Sequence, residues 1–295
     1  MTATVRYMKI NEIKVSNYIT KSGLPGTDLV INPYVGCPHA CIYCYASFMK
    51  KFTGHNEDWG DFTDVKICDS SIKPQDVYGK RVFMSSVTDC YNPLEKKYKI
   101  TRSILKQLYL TECQLTICTK SDLIIRDLDI LRNMKNLTVA FSLNTTDENF
   151  RRDCDRASSV EARIRALKVI HDEGIHTVLF MSPIFPGITQ WKSIIEAVGK
   201  NADEYWFENL SLKGGFKYRV LNYIKNRYPH LYPLYSEIYL CGNNSYWNAL
   251  ASETENFCLE NNISFKNLFH TDVFSANRAN AKSHSSNGQI SFFGD

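Results

Sequence analysis

Short, almost continuously apolar stretches recur along the chain, and longer amphipathic ones fall between them. The apolar stretches are residues 29–35, 81–87, 115–119, 137–143, 176–183 and 205–210. They are rich in β-branched and aromatic residues and lack the in–out alternation of a half-exposed strand. They therefore read as strands of a parallel sheet, buried on both faces. Helical patterns cover 101–109, 122–133, 160–173 and 190–199. The third is the clearest, with Ser158-Ser159 as an N-cap signal, Glu161 in its first turn and Gly174 as a stop. Strand–helix alternation with right-handed crossovers gives a parallel sheet or barrel. Six units are too few for an eight-fold barrel. The predicted fold is α/β, a partial (β/α)6 barrel whose functional residues gather at the C-terminal ends of its strands.

From about Gly214 the texture changes. Phe216, Lys217, Tyr218, Arg219, Tyr223, Lys225, Arg227 and Tyr228 interleave aromatic and basic side chains, and two helix-like stretches follow. Residues 1–213 are thus expected to form the barrel with an N-terminal lead-in. Residues 214–295 form an extension that closes the barrel or covers its mouth, with 281–287 loose. In a chain of 295 residues, 44% hydrophobic and 22% charged excludes a disordered polymer. A net charge of +4 permits a nucleic-acid partner without requiring one. The sequence has no apolar run of ~18 residues and no secretory signal at Met1, so a cytoplasmic protein without a membrane span is expected.

Ten cysteines are many for a reducing compartment, where they serve as ligands, catalytic groups or small core residues. Cys68, Cys113, Cys118, Cys154, Cys241 and Cys258 show no ligand spacing and read as core or surface thiols. Cys37-Pro-His-Ala-Cys41-Ile-Tyr-Cys44 differs. Three thiols within eight residues, entered through Asn32-Pro33 and Gly36, can converge on one point. Zinc would want a fourth ligand, and no second C-x-x-C follows; His39 lies inside the loop between two of the thiols. A [4Fe–4S] cluster normally takes four thiolates, and three leave one iron open. A purely structural zinc or iron–sulfur site is the alternative.

A C-x-x-x-C-x-aromatic-C loop after the first barrel strand resembles the radical S-adenosylmethionine (SAM) superfamily. The resemblance implies that SAM chelates the open iron of a [4Fe–4S] cluster on Cys37, Cys41 and Cys44. It also implies reductive cleavage to a 5′-deoxyadenosyl radical that takes hydrogen from a substrate. Met84-Ser-Ser-Val-Thr-Asp-Cys-Tyr-Asn-Pro-Leu-Glu95, Thr101-Arg102, Thr119-Lys120, Phe141-Ser142-Leu143-Asn144, Ser158-Ser159-Val-Glu-Ala-Arg163 and Met181-Ser-Pro-Ile-Phe-Pro186-Gly187 resemble the spore photoproduct lyase-related branch. Short chains of that branch also resemble radical SAM mobile pair proteins, which raises a second radical SAM protein as a partner.

The resemblance assigns roles at the strand ends. Lys120 meets the SAM carboxylate by a charge-assisted contact. Thr88, Asp89 and the region of Ser86 face the amino group, although Asp89 can instead cap the following turn. Ser142 and Asn144 take the carboxylate or ribose, Arg163 reaches the same pocket, the backbone at Ser182 touches adenine, and Tyr43 packs beside it. Photoproduct lyase returns hydrogen from a cysteine whose place here is held by Ser86, and Cys90 is the nearest candidate to replace it. Lys96-Lys97-Tyr98-Lys99, Arg102 and the aromatic–basic stretch after Gly214 are candidates for a nucleic-acid groove. A low-potential electron donor of flavodoxin or ferredoxin type completes the expected partners. The rival reading from another class is a non-catalytic iron–sulfur electron carrier or binding protein.

Overall fold

The computed structural model describes residues 8–269. The strands are β1 (Lys9–Lys14), β2 (Ile19–Lys21), β3 (Leu29–Ile31), β4 (Tyr34–Val35), β5 (Phe62–Ile67), β6 (Arg81–Met84), β7 (Gln114–Thr119), β8 (Leu137–Ser142), β9 (His176–Ile184), β10 (Glu204–Asn209) and β11 (Phe265–Asn267). Eight of them form one open sheet in the order β11-β10-β9-β8-β7-β6-β3-β2. From β3 to β11 every neighbouring pair is parallel, and only β2 runs antiparallel at its edge. The six predicted strands are the six consecutive members from β3 to β10, and the sheet does not close, as expected of a partial barrel.

Strand alternation sorts the core into two layers. Val82, Met84, Val139, Phe141, Leu179, Met181 and Phe207 face the large core shared with the helices. Phe83, Ala140, Val178, Phe180 and Trp206 face the concave side, in a separate apolar cluster with Cys118 packed against it. Helices Ile100–Leu108, Val160–Asp172 and Trp191–Val198 cover the convex side with one apolar face each, for example Ala166, Leu167 and Ile170. Ser159 caps the second of these from its side chain, as predicted.

Three features differ from expectation. Residues 29–35 do not form one strand. Pro33 has no N–H for a ladder, and Asn32 turns its side chain away to Ser86 Oγ (2.8 Å) and to the Val87 backbone N–H (3.1 Å). The chain then leaves the main sheet, and β4 joins a second sheet of order β1-β5-β4. Residues 122–133 are a 3-10 turn, Asp122–Asp127, followed by one α-turn, Leu128–Leu131, rather than a single helix. The segment after Gly214 carries three α-helices, Lys217–Arg227, Tyr232–Tyr239 and Ser245–Glu260, and then adds β11 to the edge of β10. Residues 281–287 lie outside the described residues.

Candidate active site

The cysteine loop sits between β4 and β5, which pair antiparallel. Gly36 opens it at φ +83°, and a Cβ there would lie 2.4 Å from the Phe62 carbonyl oxygen, so glycine alone fits this turn. The loop is tied down from the other side as well. The Ile42 N–H donates to the Cys154 carbonyl at 2.9 Å and the Arg156 N–H to the His39 carbonyl at 2.7 Å. Its three thiols face a cavity of about 390 Å³ at the C-terminal ends of the strands.

Burial pushes all three thiols up, Cys41 to about 12. A metal centre would have to hold them as thiolates. The indole N–H of Trp59 donates to Cys44 Sγ at 3.3 Å. Among the described residues no three His, Cys, Asp or Glu side chains close around a single ion. Three thiols lining one cavity are the donor set that a cluster would fit in which each thiol holds its own iron.

Four adjacent strands finish on the concave side with polar side chains in the same parity as the inner apolar layer: Cys118, Ser142, Ser182 and Glu208. Cys118 Sγ lies 3.5 Å from Ser142 Oγ. Ser182 Oγ donates to one oxygen of Glu208, and the other, Oε1, is buried without a partner among the described residues. Burial pushes Glu208 up to about 8, with Ser182 and Lys120 opposing only in part. This carboxyl is therefore largely neutral at pH 7.

Lys120 lies across the cavity. Its ammonium stands 5.9 Å from the centre of the Tyr43 ring and is hydrogen-bonded to no described side chain. Tyr43 is buried, donates its hydroxyl to Asp155 at 3.2 Å and packs edge-on against Phe185. Ser86 and Thr88 line the same wall, with Thr88 Oγ1 donating to the Gly36 carbonyl at 2.8 Å. Asp89 reaches the wall too, but its oxygens already accept from the Tyr91 N–H, Thr119 Oγ1 and the Lys120 N–H at 2.8–2.9 Å, so it caps the turn it begins.

Three expected site residues do not reach the cavity. Cys90 is fully buried in the outer core, and its backbone N–H bonds to Ser85 Oγ. Arg163 is 1% exposed and held by Asp155 (2.6 Å) and the carbonyls of Ser158 and Ser142 (2.8 and 3.4 Å). It fixes the end of β8 from behind. Asn144 is buried outside the lining, with its Nδ2 unpartnered among the described residues.

Conversely, sequence reading missed Glu208 and placed Cys118 in the core. The signal for Glu208 was there: an acid closing the otherwise apolar run Tyr205-Trp206-Phe207. Much of the aromatic–basic stretch is engaged internally. Lys217 donates to the Tyr239 carbonyl, and Tyr223 and Arg227 bond Asp153.

Residues 31–198 match the profile of the radical SAM superfamily. The chain belongs to that superfamily. An uncharacterised protein of Methanocaldococcus jannaschii is 37% identical over 231 residues, covering 78% of this chain and 87% of its own. One of Acidianus two-tailed virus is 31% identical over 169 residues, 53% and 56% of the two chains. Among solved structures, spore photoproduct lyase complexed with dinucleoside spore photoproduct superposes with a TM-score of 0.52 at 16% identity, over 74% of this chain and 66% of the lyase. Streptococcus suis SuiB bound to precursor peptide SuiA gives 0.55 at 17% identity, over 87% and 52%. This chain therefore spans about two thirds of the lyase and half of SuiB. At these identities the likeness is one of fold. No described helix is long and apolar enough to cross a membrane.

Proposed function

We propose that this chain is a radical SAM enzyme holding a [4Fe–4S] cluster on Cys37, Cys41 and Cys44 and SAM in the adjoining cavity. When bound, the cluster supplies one electron to the sulfonium of SAM, releasing methionine and a 5′-deoxyadenosyl radical that takes hydrogen from the substrate. The observation that carries the reading is one cavity lined both by three thiols and by an ammonium, Lys120, that forms no ion pair with a described carboxylate. An electron carrier has no use for such an open cation beside its cluster. Lys120 holds the SAM carboxylate. Ser86 and Thr88 supply oxygens for its amino group. Ser142 and Ser182 bond the nucleoside, and the apolar floor of Phe83 and Phe180 keeps water from the radical.

Photoproduct reversal is not the reaction we propose. By the resemblance Ser86 holds the place of photoproduct lyase's hydrogen-donating thiol, Cys90 faces away, and the one further thiol of the described lining, Cys118, sits on a different strand. Support for a chain-like substrate comes from the mouth. Phe48 lines the cavity and is 48% exposed, Phe52 is 68% exposed, and the Lys51 ammonium lies 4.8 Å from the Phe52 ring centre. Exposed aromatics with a cation are a stacking platform for unpaired bases. Phe52→Ala is expected to weaken binding of a fluorescent single-stranded oligonucleotide; unchanged anisotropy titrations would turn the search to peptides.

The deciding experiment is anaerobic. Protein reconstituted with iron and sulfide, then given dithionite and SAM, is expected to yield 5′-deoxyadenosine. Cys41→Ala is expected to lose both the iron–sulfur absorbance and the product. An intact cluster that releases no 5′-deoxyadenosine would favour the carrier reading instead.

A further inference from the structure

His39 lies in the cysteine loop and lines two spaces at once, the inner cavity and an outer cleft of about 500 Å³. It is the only described residue that lines both. The cleft is rimmed by Lys96 and Arg156, and the one carboxylate in its described lining, Asp122, accepts from Ser158 and lies 4.0 Å from Arg165. Arg156 is 56% exposed on its side chain, meets Asp61 only at 3.8 Å, and its backbone is bonded to the loop at His39. Lys97 and Lys99 continue the exposed basic run, and neither these two nor Lys96 pairs with a described carboxylate. The third cation of the cleft, Arg126, is already neutralised by Glu95 and Asp127. None of the mouth residues Phe48, Lys213 and Phe216 takes part.

A substrate must meet the mouth. A cleft away from the mouth, bordered by His39 of the thiol loop and edged by the unpaired Lys96 and the loosely held, exposed Arg156, suits something that need only come close. We infer that the face formed by Lys96, Lys97, Lys99 and Arg156 is the docking surface for a small acidic electron-transfer protein. Its electron reaches the cysteine loop past His39. The inference rests on the proposed radical SAM chemistry. One electron leaves the reduced flavin or iron–sulfur centre of the partner, which is oxidised, and arrives at the cluster, which is reduced; no bond forms or breaks. Charge complementarity of this kind governs encounter rate and salt dependence more than final affinity.

The test uses reduced flavodoxin as the probe. Stopped-flow reduction of the reconstituted protein is expected to slow with rising salt and to fall by about tenfold or more in Lys96→Glu/Arg156→Glu. Binding of oxidised flavodoxin to the cluster-free protein, read by calorimetry, is expected to weaken in parallel. Reduction by dithionite, and 5′-deoxyadenosine formed with it, are expected to match wild type. Equal flavodoxin rates in the two proteins overturn the surface. So does a variant that loses oligonucleotide binding while keeping flavodoxin transfer, which would mark a nucleic-acid face. Failure of the dithionite arm in wild type would instead refute the radical SAM chemistry. Lys96→Ala/Arg156→Ala, with intermediate rates and an unchanged melting temperature, excludes misfolding as the cause.

Discussion

At Asp89 a buried carboxylate organises three segments: its own turn, the end of β7 and His39 of the cysteine loop. Burial alone would push its pKa up, but His39 and the donors at Lys120 and Thr119 outweigh it and hold the group at about 2. Its contribution is present above the unfolded carboxylate range and is lost as pH falls through about 2. Asp89→Asn sets an amide N–H against a backbone donor. The loss expected in urea unfolding is about 2–3 kcal/mol at neutral pH.

Glu208 works in the opposite sense. Its pKa is raised, so the native state keeps a proton that the unfolded chain loses, and stability declines as pH rises from the usual carboxylate range to about 8. Glu208→Gln is expected to flatten that decline; melting curves across this range that stay parallel for the two proteins would show the carboxyl is solvated. Lys120→Ala is expected to weaken SAM binding by roughly 1.5–3 kcal/mol in equilibrium titrations.

The elements show why part of the fold could be read directly and part could not. Parallel strands buried on both faces leave apolar runs that stand out, and all six were found. The strands β1 and β5 escaped because β1 is mostly exposed and β5 mixes polar residues such as Thr63 and Asp64 into a buried strand. The thiols stood out by their spacing, and Lys120 by the resemblance at the end of its strand. Whether Cys90, Arg163 and Asn144 face the cavity depends on turns. Ser85 adopts φ +82° after β6, and its hydroxyl oxygen accepts from the Cys90 N–H at 2.8 Å, with the Cys90 side chain in the outer core. No local pattern announces that. Gly36 belongs to the same scale. Gly36→Ala must move either the loop or Phe62, with an expected penalty of about 2 kcal/mol or more and less iron retained after reconstitution. Wild-type iron content in this variant would show that the loop adapts.

For the whole molecule, the sheet stays open and its β10 edge is carried on by β11 from the C-terminal segment. Trp247, fully buried on Ser245–Glu260 with its ring tilted against Phe269, ties that segment to the main core. Trp247→Ala is expected to lower stability by about 3–5 kcal/mol while unfolding remains one transition. A separate early transition would mean the C-terminal helices are an independent unit.

The antiparallel pairing of β4 with β5 has a consequence for assembly. Both flanks of the thiol loop are anchored by backbone bonds that need no iron, unlike a zinc finger, which collapses without its ion. Metallation can then follow folding instead of driving it. Under iron starvation the polypeptide is expected to persist as a folded, colourless reserve, ready to be charged when the metal returns.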